Sequence, residues 1–102
     1  KLVRDRVPEI IEGTGKRFEF HQGDSTALRS YAFDKLREEV EEFIENPSAE
    51  EAADIMEVMN FICHRMGIRE HSIVAAATVK RVDRGAFEMG FVLDWVEEEC
   101  ES

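Results

Sequence analysis

The chain has 102 residues, 43% of them hydrophobic, and a net charge of −10 at pH 7. That length makes one domain, able to bury about 60–70% of the surface its unfolded form would expose. The acidic balance excludes long-range attraction to a nucleic-acid polymer or an anionic membrane, and no run approaches the ~20 apolar residues of a membrane span.

Two cysteines, Cys63 and Cys100, are too few and too isolated for a disulfide framework or a zinc site. A reducing, cytoplasmic setting fits this usage best. The chain opens on Lys-Leu-Val-Arg-Asp-Arg, which is not a signal peptide. It lacks an initiating Met, so a few residues are expected before Lys1.

In chain order, Pro8 can open a short helix, and Pro8–Glu12 is expected to form one helical turn. Gly13-Thr14-Gly15 is a turn signal. Arg17 to His21 alternates polar and apolar residues and is expected to be extended, though too short to anchor a sheet. The first long helix should start near Asp24 or Ser25, either of which can cap it. Its apolar stripe reads Leu28, Ala32, Leu36, Val40 and Phe43, with Ile44 beside them. Asn46-Pro47-Ser48 breaks the run, and Ser48 with Glu51 reads as a capping box.

The second helix is expected from Ala49 to Met66, closed by Gly67. It is apolar nearly all round, which suits the centre of a bundle or an oligomer interface. A third helix should cover His71 to Arg84, capped by Ser72 and stopped by Gly85. The segment from Ala86 to Leu93 fits either a loop or a short arm packed over the bundle. Asp94 to Ser102 reads as a frayed helical tail.

The chemistry concentrates in Glu38-Glu39-Val40-Glu41-Glu42 and Glu51-Ala52-Ala53-Asp54. Spacing of three on a helix sets two side chains on one face, so Glu39 pairs with Glu42 and Glu51 with Asp54. The short connection predicts an antiparallel hairpin with Glu39 facing Asp54 and Glu42 facing Glu51. Four carboxylates at one end of a hairpin suit Mg²⁺, which takes oxygen ligands and keeps waters for substrate phosphates.

The plainer reading is a solvated charged face, with Lys35–Glu39 and Arg37–Glu41 as ordinary helical pairs. Against it, Glu41, Glu42 and Glu45 crowd a helix C-terminus, where the macrodipole disfavours anions by about 0.3–1 kcal/mol each. Metal binding therefore stands somewhat ahead. Glu57 could support the metal shell or simply face solvent. Arg4 and Arg6 could reach a bound phosphate or pair with Asp5 and Glu9. His21, His64 and His71 lie apart and carry no assigned role.

Glu38-Glu39-x-x-Glu42 followed by Glu51-x-x-Asp54 resembles the signature of the all-α nucleoside triphosphate pyrophosphohydrolases, the MazG-type enzymes. The opening Lys1-Leu-Val-Arg-Asp-Arg-Val-Pro-Glu-Ile-Ile and the later Lys80-x-x-x-Arg84-Gly85-x-Phe87 resemble the phosphoribosyl-ATP pyrophosphohydrolase-like branch. The eight residues between Glu42 and Glu51 are fewer than is usual there.

The resemblance implies an all-α fold: a helical hairpin core with a third helix, dimerising into a four-helix-type bundle as a homodimer or dimer of dimers. It implies Mg²⁺, with Mn²⁺ as a substitute, held by Glu39, Glu42, Glu51 and Asp54. Glu38 becomes a supporting ligand or the base for the attacking water. Lys80 and Arg84 match residues that face the phosphates, with Arg4 a further candidate. The reaction expected is hydrolysis of a nucleoside triphosphate to the monophosphate and pyrophosphate. The alternative is a helical dimer that binds nucleotide or metal in regulation without turnover.

Overall fold

The computed structural model describes residues 1–97. Among them are four helices and no strand: α1 (Val7–Glu12), α2 (Ser25–Glu45), α3 (Ala49–Arg65) and α4 (Glu70–Arg84). None is long and apolar enough to cross a membrane. The chain forms two compact units, Lys1–Arg69 and the segment from Glu70 on.

Local chemistry sets the helix ends of the first unit. Pro8 lies in the first turn of α1, where its missing N–H costs nothing. The Asp24 carboxylate accepts from the Ala27 N–H at 2.9 Å and so starts α2. Asn46 leaves helical geometry, with Pro47 behind it. Ser48 Oγ then accepts from the Glu51 N–H at 3.1 Å and starts α3. The C-terminus of α3 closes as a Schellman motif. Ile68 N–H donates to the Cys63 carbonyl at 2.8 Å and Gly67 N–H to the His64 carbonyl at 3.3 Å. Gly67 sits at φ +73°, which a side chain would strain.

Between α1 and α2 the chain is extended but makes no strand; Phe18 and Phe20 stack on each other with centroids 5.8 Å apart.

Helices α2 and α3 pack on one another. Ala32 meets Val58 and Ile62, and Leu2, Phe33, Leu36 and Phe61 close around them. Cys63, also buried, is a free thiol, whereas Cys100 lies outside the described residues.

One sequence expectation needs correction here. The buried stripe of α2 does not run through Val40, which is 38% exposed, nor Ile44 at 70%. Each four-residue step overshoots the helical period by about 40°, so a stripe built only of such steps drifts off the face. The face that stays inward takes a three-residue step after Leu36, and its next occupant is Glu39, only 5% exposed.

In the second unit α4 begins at Glu70, so Ser72 lies inside the helix and does not cap it. Glu70 in the first turn and Arg81 and Arg84 in the last all complement the macrodipole. Gly85, at φ +82°, donates to the Arg81 carbonyl at 2.9 Å and ends the helix as expected. Residues 86–97 form turns and irregular backbone, with Phe87, Phe91 and Trp95 exposed. The expected helical tail is therefore absent over Asp94–Glu97, and its remainder lies outside the described residues.

Truncating the core should separate buried from exposed isoleucine. Ile62→Ala should lower the unfolding free energy in urea by about 2–4 kcal/mol. Ile44→Ala should change it by no more than about 0.5 kcal/mol. Equal losses would mean that the α2–α3 contact is not where the stability resides.

Candidate functional site: a buried carboxylate cluster

A glutamate on the inward face of a packed helix is costly unless its charge is matched. Glu39 Oε1 receives the Lys35 ammonium at 2.9 Å, one turn earlier on α2. Its other oxygen, Oε2, is buried without a hydrogen-bond partner among the described residues. From α3, Glu51 and Asp54 bring carboxylate oxygens that lie, with one from Glu39, within 4.8 Å of one another. Glu51 Oε2 is likewise buried and unpartnered.

The capping box around Ser48 is thus only half made. Ser48 Oγ accepts from the Glu51 N–H, but among the described residues the Ser48 N–H donates no return bond to the Glu51 carboxylate. That carboxylate is committed to the cluster.

Two cations arrive from the N-terminal segment, which Leu2 anchors to the core. Arg4 Nη2 donates to Asp54 Oδ1 at 2.7 Å, and Lys1 Nζ to Glu38 Oε1 at 3.0 Å. Neither pairing had a local signal, since they join residues 50 and 37 positions apart. Arg4 therefore does not pair with Asp5 or Glu9 as the plainer sequence reading had it. Arg6 does pair with Glu9, at 3.4 Å. Lys35–Glu39 forms as expected, whereas Arg37 turns to Asp34 at 3.1 Å instead of Glu41.

The remaining expected site residues are not members of the trio. Glu38 lies beside the cluster, held by Lys1 and at 3.5 Å by Lys35. Glu42 is exposed and falls outside the trio of Glu39, Glu51 and Asp54. Glu57, one turn beyond Asp54, is exposed. Lys80 and Arg84 lie one helical turn apart on α4, in the second unit.

The electrostatics follow from these neighbours. The Glu38 carboxyl is held below the usual carboxylate range, first by its hydrogen bond from Lys1, which outweighs the opposing cost of burial, and then by the charges of Lys35 and Lys1. Glu42 is pushed above that range, first by the Glu39 carboxylate beside it, which favours a proton on Glu42 and repels its charge, and then by burial and the charges of Glu51 and Glu38. Burial disfavours the charged Lys35, yet its bonds to Glu39 and Glu38 outweigh that and raise its pKa. Arg4 is raised chiefly by its bond to Asp54.

The donor set fits a small hard cation. All three groups offer oxygen, the cluster is net negative, and each unpartnered buried oxygen costs about 1–3 kcal/mol of desolvation. Oxygens on one octahedral Mg²⁺ stand about 2.9 Å apart when adjacent and about 4.2 Å when opposite, so the trio would draw closer together to share an ion. Comparison of the chain with protein-family models, curated proteins and solved structures gives no match.

The opposed shifts of Glu38 and Glu42 make a pH signature. Glu42, raised on folding, contributes stability below the ordinary carboxylate value of 4.5, and loses it as pH rises through the raised value. Glu38, lowered on folding, contributes above that ordinary value and loses its contribution as pH falls through the lowered one. Glu42→Gln should therefore gain stability relative to the wild type as pH climbs above 4.5 in the absence of divalent metal. Urea midpoints between pH 3.5 and 7 measure this, and a difference flat across that window would remove the repulsion.

Proposed function

We propose that this chain hydrolyses a nucleoside triphosphate or related nucleotide to the monophosphate and pyrophosphate, with Mg²⁺, or Mn²⁺ in its place, at the carboxylate cluster. The observation that carries the reading is Glu39. It is a carboxylate on the core-facing side of α2, drawn together with Glu51 and Asp54 of α3, with two oxygens left unpartnered. The sequence resemblance to the MazG-type pyrophosphohydrolases supplies the reaction.

In this reading α2 and α3 form an antiparallel hairpin. Contacts at both ends support it: Ala32 with Val58 and Ile62, and Glu39 with Glu51 and Asp54. Glu39, Glu51 and Asp54 would hold the cation, with Glu42 as the fourth ligand that the sequence resemblance assigns. A divalent ion bound there would neutralise phosphate charge and lower the pKa of a water.

Water attacks the α-phosphorus, the bridging bond to the β-phosphate breaks, and pyrophosphate leaves. The sequence resemblance assigns Lys80 and Arg84 to the phosphates, the first as a point charge and the second as a bidentate fork. Arg4 is already at the cluster, and exchanges Asp54 for a phosphate oxygen when substrate arrives. Glu38 serves better as a supporting group than as the base, because a depressed pKa makes it a poor proton acceptor while Lys1 remains in place. The same fact favours one other reading, a metal- or nucleotide-binding helical dimer without turnover.

A homodimer completes the proposal. Met56 at 65% and Met59 at 41% exposure leave an apolar face of α3 uncovered, which a two-fold interface would bury. Light scattering should give twice the chain mass at micromolar concentration.

Incubation with a panel of nucleoside and deoxynucleoside triphosphates and Mg²⁺ should yield pyrophosphate with at least one of them. Asp54→Asn should reduce turnover by orders of magnitude at saturating nucleotide. Arg84→Ala, folded and dimeric, should raise KM if its contact is equal in ground and transition states, or lower kcat if the contact tightens. Unchanged constants would pass the phosphate role to Arg4. No pyrophosphate from any nucleotide would sink the enzyme and leave the binding reading.

A further inference from the structure

A second feature of the α2–α3 pair stands apart from the carboxylates. A cleft of about 580 Å³ opens between the start of α2 and the end of α3. Its walls include Arg29 and Phe33 from α2 and Phe61, His64 and Arg65 from α3. Among the described residues none that lines it is acidic, in a chain with 23 Asp and Glu. The cleft is therefore a local inversion of the protein's field.

Its arginines are also arranged alike. The Arg29 guanidinium lies over the Phe33 ring at 5.9 Å, and that of Arg65 over Phe61 at 5.5 Å. Each pair is made within one helix at a spacing of four, and the two come from opposite walls. A cation–π contact alone explains why one arginine covers one ring. It does not explain why two such pairs converge on one cleft from which every carboxylate is missing.

We propose that this cleft binds a small anion carrying a planar ring, the chemistry of a nucleoside monophosphate. The two guanidinium planes, each backed by a phenyl ring, supply stacking surfaces that accept a planar ring regardless of its identity. The edges of the guanidinium forks supply paired N–H donors that match phosphate oxygens. Ser25, on the same wall as Arg29, adds a hydroxyl.

The site is distinct from the carboxylate cluster. Ala32, in the cleft wall, and Glu39 are seven residues apart on α2, about 10 Å along the helix axis. No metal ligand is needed, so binding here proceeds whether or not the cluster holds a cation or the chain hydrolyses anything.

Isothermal titration of the full chain with adenosine 5′-monophosphate in excess EDTA tests this directly. Saturable binding is expected, tighter than that of inorganic phosphate or of adenosine, because only the monophosphate offers both charge and ring. Arg29→Gln and Arg65→Gln should each weaken it about tenfold or more, since each deletes a charge-assisted contact. Both arginines are exposed, so the variants should fold, and circular dichroism checks this. Arg29→Lys keeps the charge but not the fork and should fall between Arg29→Gln and the wild type. Asp54→Asn should leave the affinity unchanged. The proposal is overturned by an absence of saturation, by equal affinity for adenosine or phosphate alone, or by retained affinity in the double Arg29→Gln, Arg65→Gln variant. It is equally overturned if Asp54→Asn abolishes binding, which would place the nucleotide at the carboxylates.

Discussion

The Glu39 carboxylate, buried where two helices meet, is the constraint on which the arrangement of the first unit turns. A helix face that packs on a neighbour ordinarily carries an aliphatic side chain at this register. Here a charge takes the place, and the surroundings answer it. Lys35 swings back along α2 to one oxygen. Arg4 comes across from the N-terminal segment to Asp54, and Lys1 to Glu38. These contacts do not complete the compensation, because Glu39 Oε2 and Glu51 Oε2 have no partner among the described residues. An acidic cluster that served only to knit two helices would be expected to satisfy its buried oxygens with donors. One that exchanges its cations for a metal has reason to leave them open.

The N-terminal segment has two connections to this cluster. Leu2 is seated against the Ala32, Val58 and Ile62 core, while the cations on either side of it reach the carboxylates. Apolar anchoring fixes where the segment lies, and charge fixes which side chains it presents. Exposed ion pairs of this kind contribute little to stability by themselves. Their consequence is local, in that they hold Glu38 in its charged form while Glu42, without a cation of its own, is pushed the other way.

Much of this was legible in the sequence wherever the signal is local. The caps Asp24 and Ser48, the break at Asn46-Pro47 and the stops at Gly67 and Gly85 all follow from residue chemistry and lie where expected. Spacing also brought Glu39, Glu51 and Asp54 together. The failures are of three kinds. The stripe through Val40 failed because repeated four-residue steps drift round the helix, and the inward position passed to Glu39. The partners of Arg4 and Lys1 were illegible because contacts across 50 and 37 positions leave no periodic trace. Ser72 lost its expected capping role because α4 begins two residues earlier, at Glu70.

The most direct measurement is the melting temperature of the full chain titrated with MgCl₂ against NaCl of equal ionic strength, beside the Glu51→Gln, Asp54→Asn double variant. An ion that binds only the folded state at tenfold excess over its Kd contributes about 1.4 kcal/mol. For a chain of this size that is a rise of roughly 6–11 °C. The wild type should show such a rise beyond the NaCl control and the double variant none, with the variant at least as stable as the wild type in EDTA. Equal responses to Mg²⁺ in both proteins would contradict a cation site at Glu39, Glu51 and Asp54 and leave the cluster an internally compensated helix contact.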